Sequence, residues 1–309
     1  MHFCILKAQV GSTRFASTHN KSSDSLDLMD GTNLEQPRGT LFDHNVVREV
    51  GVFGKQTSAF VQMLACNTTI QNSVMFNGPR AGINFNDGFG GGNIIQGCLT
   101  FNWVRETSDH GNFNSWDRLP FYTKTTGAAS VAVVESQVRH NLMWNNYHST
   151  WPIDHDDGSC YYHDHDNFLM YGGAKNYLGH SKRNEKNYYI YADLGASPIC
   201  MVDDSSNAQD TFINNTCIHQ NGGVYMWQHY NGCAGWHPNL NKSVEITANN
   251  SFFTLDGQIH LNCGQTGTPW SLAQYQAKGY DLGSTVTTLP STERVVGWAA
   301  RLFAPPSED

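Results

Sequence analysis

The sequence predicts an all-β fold, a parallel β-helix solenoid, on three observations. The segment IQNSVMFN (Ile70 to Asn77) returns 25 residues later as IQGCLTFN (Ile95 to Asn102), and self-similarity at a fixed period of this size marks stacked repeats. Looser copies follow as VRHNLMWN (Val138 to Asn145), DNFLMY (Asp166 to Tyr171), NYYIYA (Asn187 to Ala192), INNTCIH (Ile213 to His219) and TANNSFFT (Thr247 to Thr254). Each is a short alternating strand whose apolar face one coil cannot bury alone but a stack can. Second, FNGPRAGINF, HQNGGVYM and TLDGQIHL each place a Gly-containing bend before a further alternating strand. Third, 29 glycines and a 12% aromatic content in 309 residues suit turn-rich β architecture better than helical bundles. A propeller would show four strands per blade with a blade signature, and a sandwich would show hairpin turns; neither pattern is present.

Taken in order, residues 1–40 are polar and aperiodic and read as the remnant of a longer chain. Residues 41–269 carry the repeats and read as the β-helix. Residues 270–309, with SLAQYQAKGY, read as a short C-terminal helix and loops that cap the stack. Asn72, Asn167, Asn187, Asn215 and Asn250 precede strands at matching positions, which predicts an asparagine ladder, since Asn tolerates left-handed backbone and hydrogen-bonds neighbouring main chain. GFGGGN (Gly88 to Asn93) lacks the Lys-Ser/Thr and following helix of a phosphate loop and reads as a coil bend.

A formal charge of −8 gives no basic stripe for nucleic acid, and no stretch approaches a membrane span. Eight cysteines without a CxxC pair exclude a zinc ribbon or thioredoxin-like motif. Sequons at Asn20, Asn67, Asn214, Asn241 and Asn249 point to a secreted, extracellular glycoprotein, although MHFCILKAQVGSTRF has too short an apolar run for a signal-peptide core. The sequence leaves the oligomeric state open.

Polar chemistry concentrates in two insertions, one loop-bearing face of the coil. Trp103 to Tyr122 holds Asp109, His110, Asn114, Trp116, Asp117 and Arg118; Trp151 to Asn167 holds Asp154, His155, Asp156, Asp157, Tyr161, Tyr162, His163 and His165. Coils stack about 4.8 Å apart, so the two insertions are expected to face each other. Paired carboxylates about 5–5.5 Å apart suit a retaining glycosidase, and about 6.5–9.5 Å an inverting one. Flanking aromatics offer faces for sugar rings, and half or more of them are expected simply to pack the loops. His180, in GHSK (Gly179 to Lys182), is a secondary substrate candidate.

The blocks GPRAGINFNDGFGGGN (Gly78 to Asn93), RETSDHGNFNSWDR (Arg105 to Arg118) and IDHDDGSCYY (Ile153 to Tyr162) resemble those of a family of right-handed parallel β-helix proteins related to pectate-lyase-like carbohydrate-active enzymes. The resemblance covers roughly Thr40 to Trp298. It implies a right-handed coil and, by similarity to β-helix glycosidases, an acid and a nucleophile or base drawn from Asp117 and from Asp154 or Asp156, with Asp109 and His110 as further catalytic candidates. The expected partner is a polysaccharide or oligosaccharide. Arg80, Arg105, Arg118, Asn114, Trp116, Tyr161, Tyr162 and His180 are the substrate-binding candidates. The alternatives are a lyase or uronate epimerase, with an arginine or calcium against the substrate carboxylate, and a glycan-binding or structural solenoid without catalysis.

No cofactor is required, and calcium is the one the acidic loops would accept. DHDDG fails the calcium EF-hand spacing. His163 and His165 fall on one face of a strand, an arrangement compatible with zinc but without a clear third ligand; Asp156 and Asp157 complete the metal candidates.

Overall fold

The computed structural model describes residues 37–63, 65–86, 90–116, 121–123, 131–146, 149–194, 199–203, 210–220, 224–228, 236–237, 242–243, 245–262 and 270–304. Three long sheets run along one solenoid. The first has eight strands, from Leu41–Asp43 to Glu245–Ala248; the second has nine, from Val46–Arg48 to Thr285–Thr288; the third has nine, from Phe60–Met63 to Trp270–Ser271. Within these three sheets neighbouring strands are parallel except for Trp270–Ser271, which runs antiparallel to His260–Asn262. Each coil supplies the three sheets in turn, the organisation of a parallel β-helix.

The 25-residue repeat is one turn of the coil: Ile70 lies beside Ile95 and Met75 beside Thr100. Alternation then decides burial. Ile70, Ile95, Val138, Met143, Leu169, Tyr189 and Phe212 point inward and join a core that runs the length of the stack. Part of the second sheet is also covered on its outer face, because the C-terminal helix α2 (Thr292–Leu302) lays Trp298 5.5 Å from Tyr188 and 5.6 Å from Phe253. Ser291 caps this helix by accepting from the Arg294 amide. The predicted short helix is α1 (Leu272–Gln276), which Ser271 and Gln274 close with a capping box; α2 was not foreseen. The coil also continues beyond residue 269, since Thr285–Thr288 pairs with Ser251–Thr254.

The asparagine ladder exists with one change of member. The backbone amides of Cys98, Asn141, Asn167, Asn187 and Asn215 donate to the side-chain oxygens of Asn141, Asn167, Asn187, Asn215 and Asn250 respectively, at 2.8–3.1 Å. Every rung is buried, so each bond satisfies polar groups that would otherwise be stranded at a cost of about 1–3 kcal/mol. Asn72 is not a rung. It occupies the preceding position, with φ +49, where His140, Asp166, Lys186, Asn214 and Asn249 are also left-handed, and Ser73 takes the rung by accepting from the Asn45 amide. Asn tolerates both positions, which is why composition alone mixed them.

Candidate active site

The two insertions contribute adjacent strands of the third sheet. Phe113–Trp116 pairs with Ile153–His155, which pairs with Ala174–Asn176. In this register Asn114, Asp154 and Lys175 form a row on the outer face, because Phe113, Ile153 and Ala174 turn inward to the core. Two glycines permit the close approach. A Cβ on Gly111 would stand 2.4 Å from the Trp151 carbonyl oxygen, and one on Gly173 would stand 2.2 Å from that of Ile199. The turn carrying Asp109 and His110 is held by the next coil: Ser149 donates to the His110 carbonyl at 2.8 Å and Thr150 to that of Ser108 at 3.2 Å.

Lys175 is the centre of the site. Its ammonium donates to Asp156 at 2.9 Å and to Asp109 at 3.2 Å. It stands 3.1 Å from Asp154 Oδ1, an electrostatic contact outside hydrogen-bond geometry. The lysine side chain is 8% exposed, Asp154 0%, Asp156 33% and Asp109 70%, so the cluster grades from sealed to wet. Desolvation opposes the charge on Lys175, but the fields of Asp154 and Asp156 outweigh it and hold the ammonium above its ordinary range. Burial pushes the Asp154 carboxyl up to about 7 against the pull of Lys175. His110 is held down to about 4, first by burial and then by Arg80, so its imidazole is neutral at pH 7. Burial also lowers Arg80, opposed by the fields of Asp154 and Asp156, which places a second cation on this cluster.

Of the other expected residues, Asn114 is buried and its amide donates to the Asp154 and Ser115 carbonyls; it holds strands rather than substrate. Tyr162 is 1% exposed and belongs to the core, which removes it as a substrate contact. Among the flanking aromatics whose burial is described, Trp103, Phe113 and Trp151 are buried as well, and Trp116 and Tyr161 are half-buried. Tyr161 packs edge-on against His180, 5.0 Å between rings, and Arg105 lines a separate cavity with Lys55 and Glu106. Asp117 and Arg118 lie outside the described residues. His163 and His165 sit side by side on the first sheet, where His163 contacts Glu185 at 3.2 Å and Arg183 at 2.9 Å while His165 contacts Asp166 at 2.7 Å. Carboxylates and an arginine therefore already engage these rings. Asp157 is half-buried in the turn after Ile153–His155.

The sequence reading missed Lys175. Its signal was the recurring order apolar, polar, polar in FNS, IDH and AKN, which aligns these strands and puts the lysine beside Asp154. A second missed cluster lies one residue out of phase, inside the coil. Ser115 Oγ is 2.7 Å from His155 Nδ1, and His155 Nε2 is 2.8 Å from Asp164 Oδ2, the order of a nucleophile relay. All three are at most 1% exposed, Ser159 Oγ lies 2.8 Å from Ser115 Oγ, and His155 packs on Tyr162 at 4.3 Å. These side chains face the core rather than the outer surface of the sheet, so the relay is a polar knot inside the coil, hydrogen-bonded except at Asp164 Oδ1.

Comparison of the chain with protein-family models, with curated proteins and with solved structures finds no match in any of the three. No helix among the described residues is long and apolar enough to cross a membrane.

Proposed function

We propose that this β-helix protein is an extracellular glycoside hydrolase acting on a polysaccharide or oligosaccharide, with Asp154 as the proton-carrying acid and Asp156 as the carboxylate partner. The observation that carries the reading is the Lys175 cluster. Three carboxylates from two coils converge on one almost buried ammonium, an arrangement whose desolvation costs a fold more than it returns. Two carboxyls in contrasting environments, one sealed with its proton affinity raised and one reaching water, are the pattern by which enzymes divide acid from base at neutral pH. Asp109, Asp154 and Asp156 each bring one oxygen within 3.2 Å of the same nitrogen. The facing oxygens of any two are thus less than roughly 6.5 Å apart, which is compatible with the short spacing of a retaining pair and a covalent glycosyl intermediate on Asp156.

In this reading Asp154 gives its proton to the leaving oxygen as Asp156 attacks the anomeric carbon, and Lys175 steadies the charge that Asp154 acquires. Substrate entry has to uncover Asp154. Arg80 and neutral His110 line the approach, and Trp116 offers a ring face. With Asp154 protonated, the two cations are balanced by Asp156 and Asp109, which leaves no net positive charge for a polyanion and favours a neutral sugar, and the ammonium at the centre opposes a calcium ion among the same oxygens.

The complete burial of Asp154 favours one other reading, a non-catalytic solenoid in which Lys175 staples neighbouring coils. Incubation with neutral and acidic polysaccharides, followed by mass analysis, separates the readings. Hydrolysis adds water to the products, and Asp156→Asn and Asp154→Asn should lower the rate by about 10²–10⁴-fold with circular dichroism unchanged. An unsaturated product end would establish a lyase instead, and binding without turnover would establish the staple.

A further inference from the structure

We propose that Cys200, Cys217 and His219 form a buried zinc site, far in character from the Lys175 cluster and independent of the hydrolase reading. Cys200 enters the third-sheet strand Met201–Asp203, while Cys217 lies in the second-sheet strand Thr216–Ile218 of the following coil, directly before His219. The corner between two coils thereby brings one sulfur from each coil against an imidazole. The three donor atoms lie within 4.8 Å of one another, His219 Nε2 is 2.9 Å from Cys200 Sγ, and all three residues are 0% exposed.

The sulfurs are joined in the structure as a disulfide, with Cα atoms 6.3 Å apart. A disulfide accounts for the cysteines but not for the histidine, because a bonded sulfur carries neither the proton nor the charge that would repay burying an imidazole against it. His219 Nδ1 has no hydrogen-bond partner among the described residues. A neutral ring with its proton on Nδ1 turns the lone pair of Nε2, the nitrogen that faces Cys200 Sγ, toward the sulfurs. Zinc fits the charge as well. Two thiolates, one divalent ion and a neutral imidazole sum to zero, the condition for a charged group in a sealed core, whereas a monovalent ion would leave a net negative charge.

Loading begins from the reduced pair. A small thiol reductant supplies two electrons and two protons to open the disulfide and is itself oxidised to its disulfide. Zinc then displaces both thiol protons, and the sulfurs rotate to stand about 2.3 Å from the ion with the nitrogen at about 2.0–2.1 Å. The fourth position is left for a water or small ligand, as in other sites with two cysteines and one histidine.

The test uses the full chain, reduced and then titrated with zinc or cobalt(II). The expected result is one metal per chain, and with cobalt a thiolate-to-metal charge-transfer band beside intense tetrahedral visible bands. Cys217→Ser should reduce the charge-transfer intensity by about half. His219→Gln, which leaves both sulfurs in place, should weaken binding by more than about 100-fold, beyond what loss of an outer-sphere partner alone costs, and His219→Cys should restore it. The proposal is overturned if the reduced, folded chain takes up no metal, if the disulfide yields to reductant only when the chain unfolds, or if His219→Gln binds as tightly as the parent.

Discussion

Three neighbouring strands carry two polar clusters, one facing out and one facing in, and the comparison separates chemistry that can act from chemistry that only fits. The inner row, Ser115 and His155 with Asp164, has the connectivity of a catalytic relay but is closed to solvent. The outer row, Asn114, Asp154 and Lys175, has no familiar motif, yet it reaches water through Asp156 and Asp109. Connectivity is thus a poor guide where a strand alternates faces at every residue. Access and charge decide.

The largest effect should come from removing the ammonium that organises the outer row. Lys175→Met leaves Asp154 buried beside two other carboxyls and is expected to cost about 3–5 kcal/mol in urea unfolding. Adding Asp154→Leu should return much of that loss, because a buried charged pair is replaced by apolar volume. If the double variant is no better than the single one, Lys175 is held by something other than these carboxylates.

Next in size is a pH effect that sets members of one cluster against each other. Asp154 binds its proton more tightly folded, at about 7, than at its ordinary 3.8, so its contribution to stability is greatest below about pH 4 and falls until pH passes 7. By linkage the fall is about 4 kcal/mol. His110 acts in the opposite sense. Held down to about 4 from 6.5, it penalises the folded state at low pH and ceases to do so above its ordinary value. Unfolding titrations from pH 4 to 8 should therefore show Asp154→Asn gaining on the parent as pH rises, and His110→Gln gaining as pH falls. A pair of parallel profiles would place neither group in the environment described here.

The inner row supplies the contrast. Ser115→Ala strands one imidazole nitrogen and should lower stability by about 1–3 kcal/mol, while any turnover per folded molecule stays at the parent level. Loss of turnover with an intact fold would make the inner relay the catalytic centre and displace the outer one.

How much of this was legible beforehand depends on whether a signal was local. Ile70 and Ile95 declare the coil because the repeat compares a strand with itself, and the stack keeps that register. Asp154 and Asp156 stand out because acids crowd a short turn. Lys175 does not: it is the single charge in GGAKN, and only the pairing of strands more than twenty residues apart makes it the hub. Tyr162 misled for the opposite reason, since an aromatic beside a polar turn looks the same from sequence whether it faces sugar or core. Helix α2 escaped because TERVVGWAARL follows a threonine-rich strand and lies past the last repeat, where periodicity offers no guide.

The smallest effect belongs to Asp109, and it tests where the outer row ends. Its side chain is 70% exposed although its oxygen is 3.2 Å from Lys175, so water screens the pair and the bond should contribute no more than about 1 kcal/mol. Asp109→Asn is expected to leave urea unfolding within that margin, since the ammonium keeps Asp154 and Asp156 and the turn keeps its bonds from Ser149 and Thr150. A loss several times larger would mean that the three carboxylates act as one unit on Lys175. The outer row would then resemble the inner knot, a structural device in which every member is needed, and the staple reading would gain at the expense of the hydrolase.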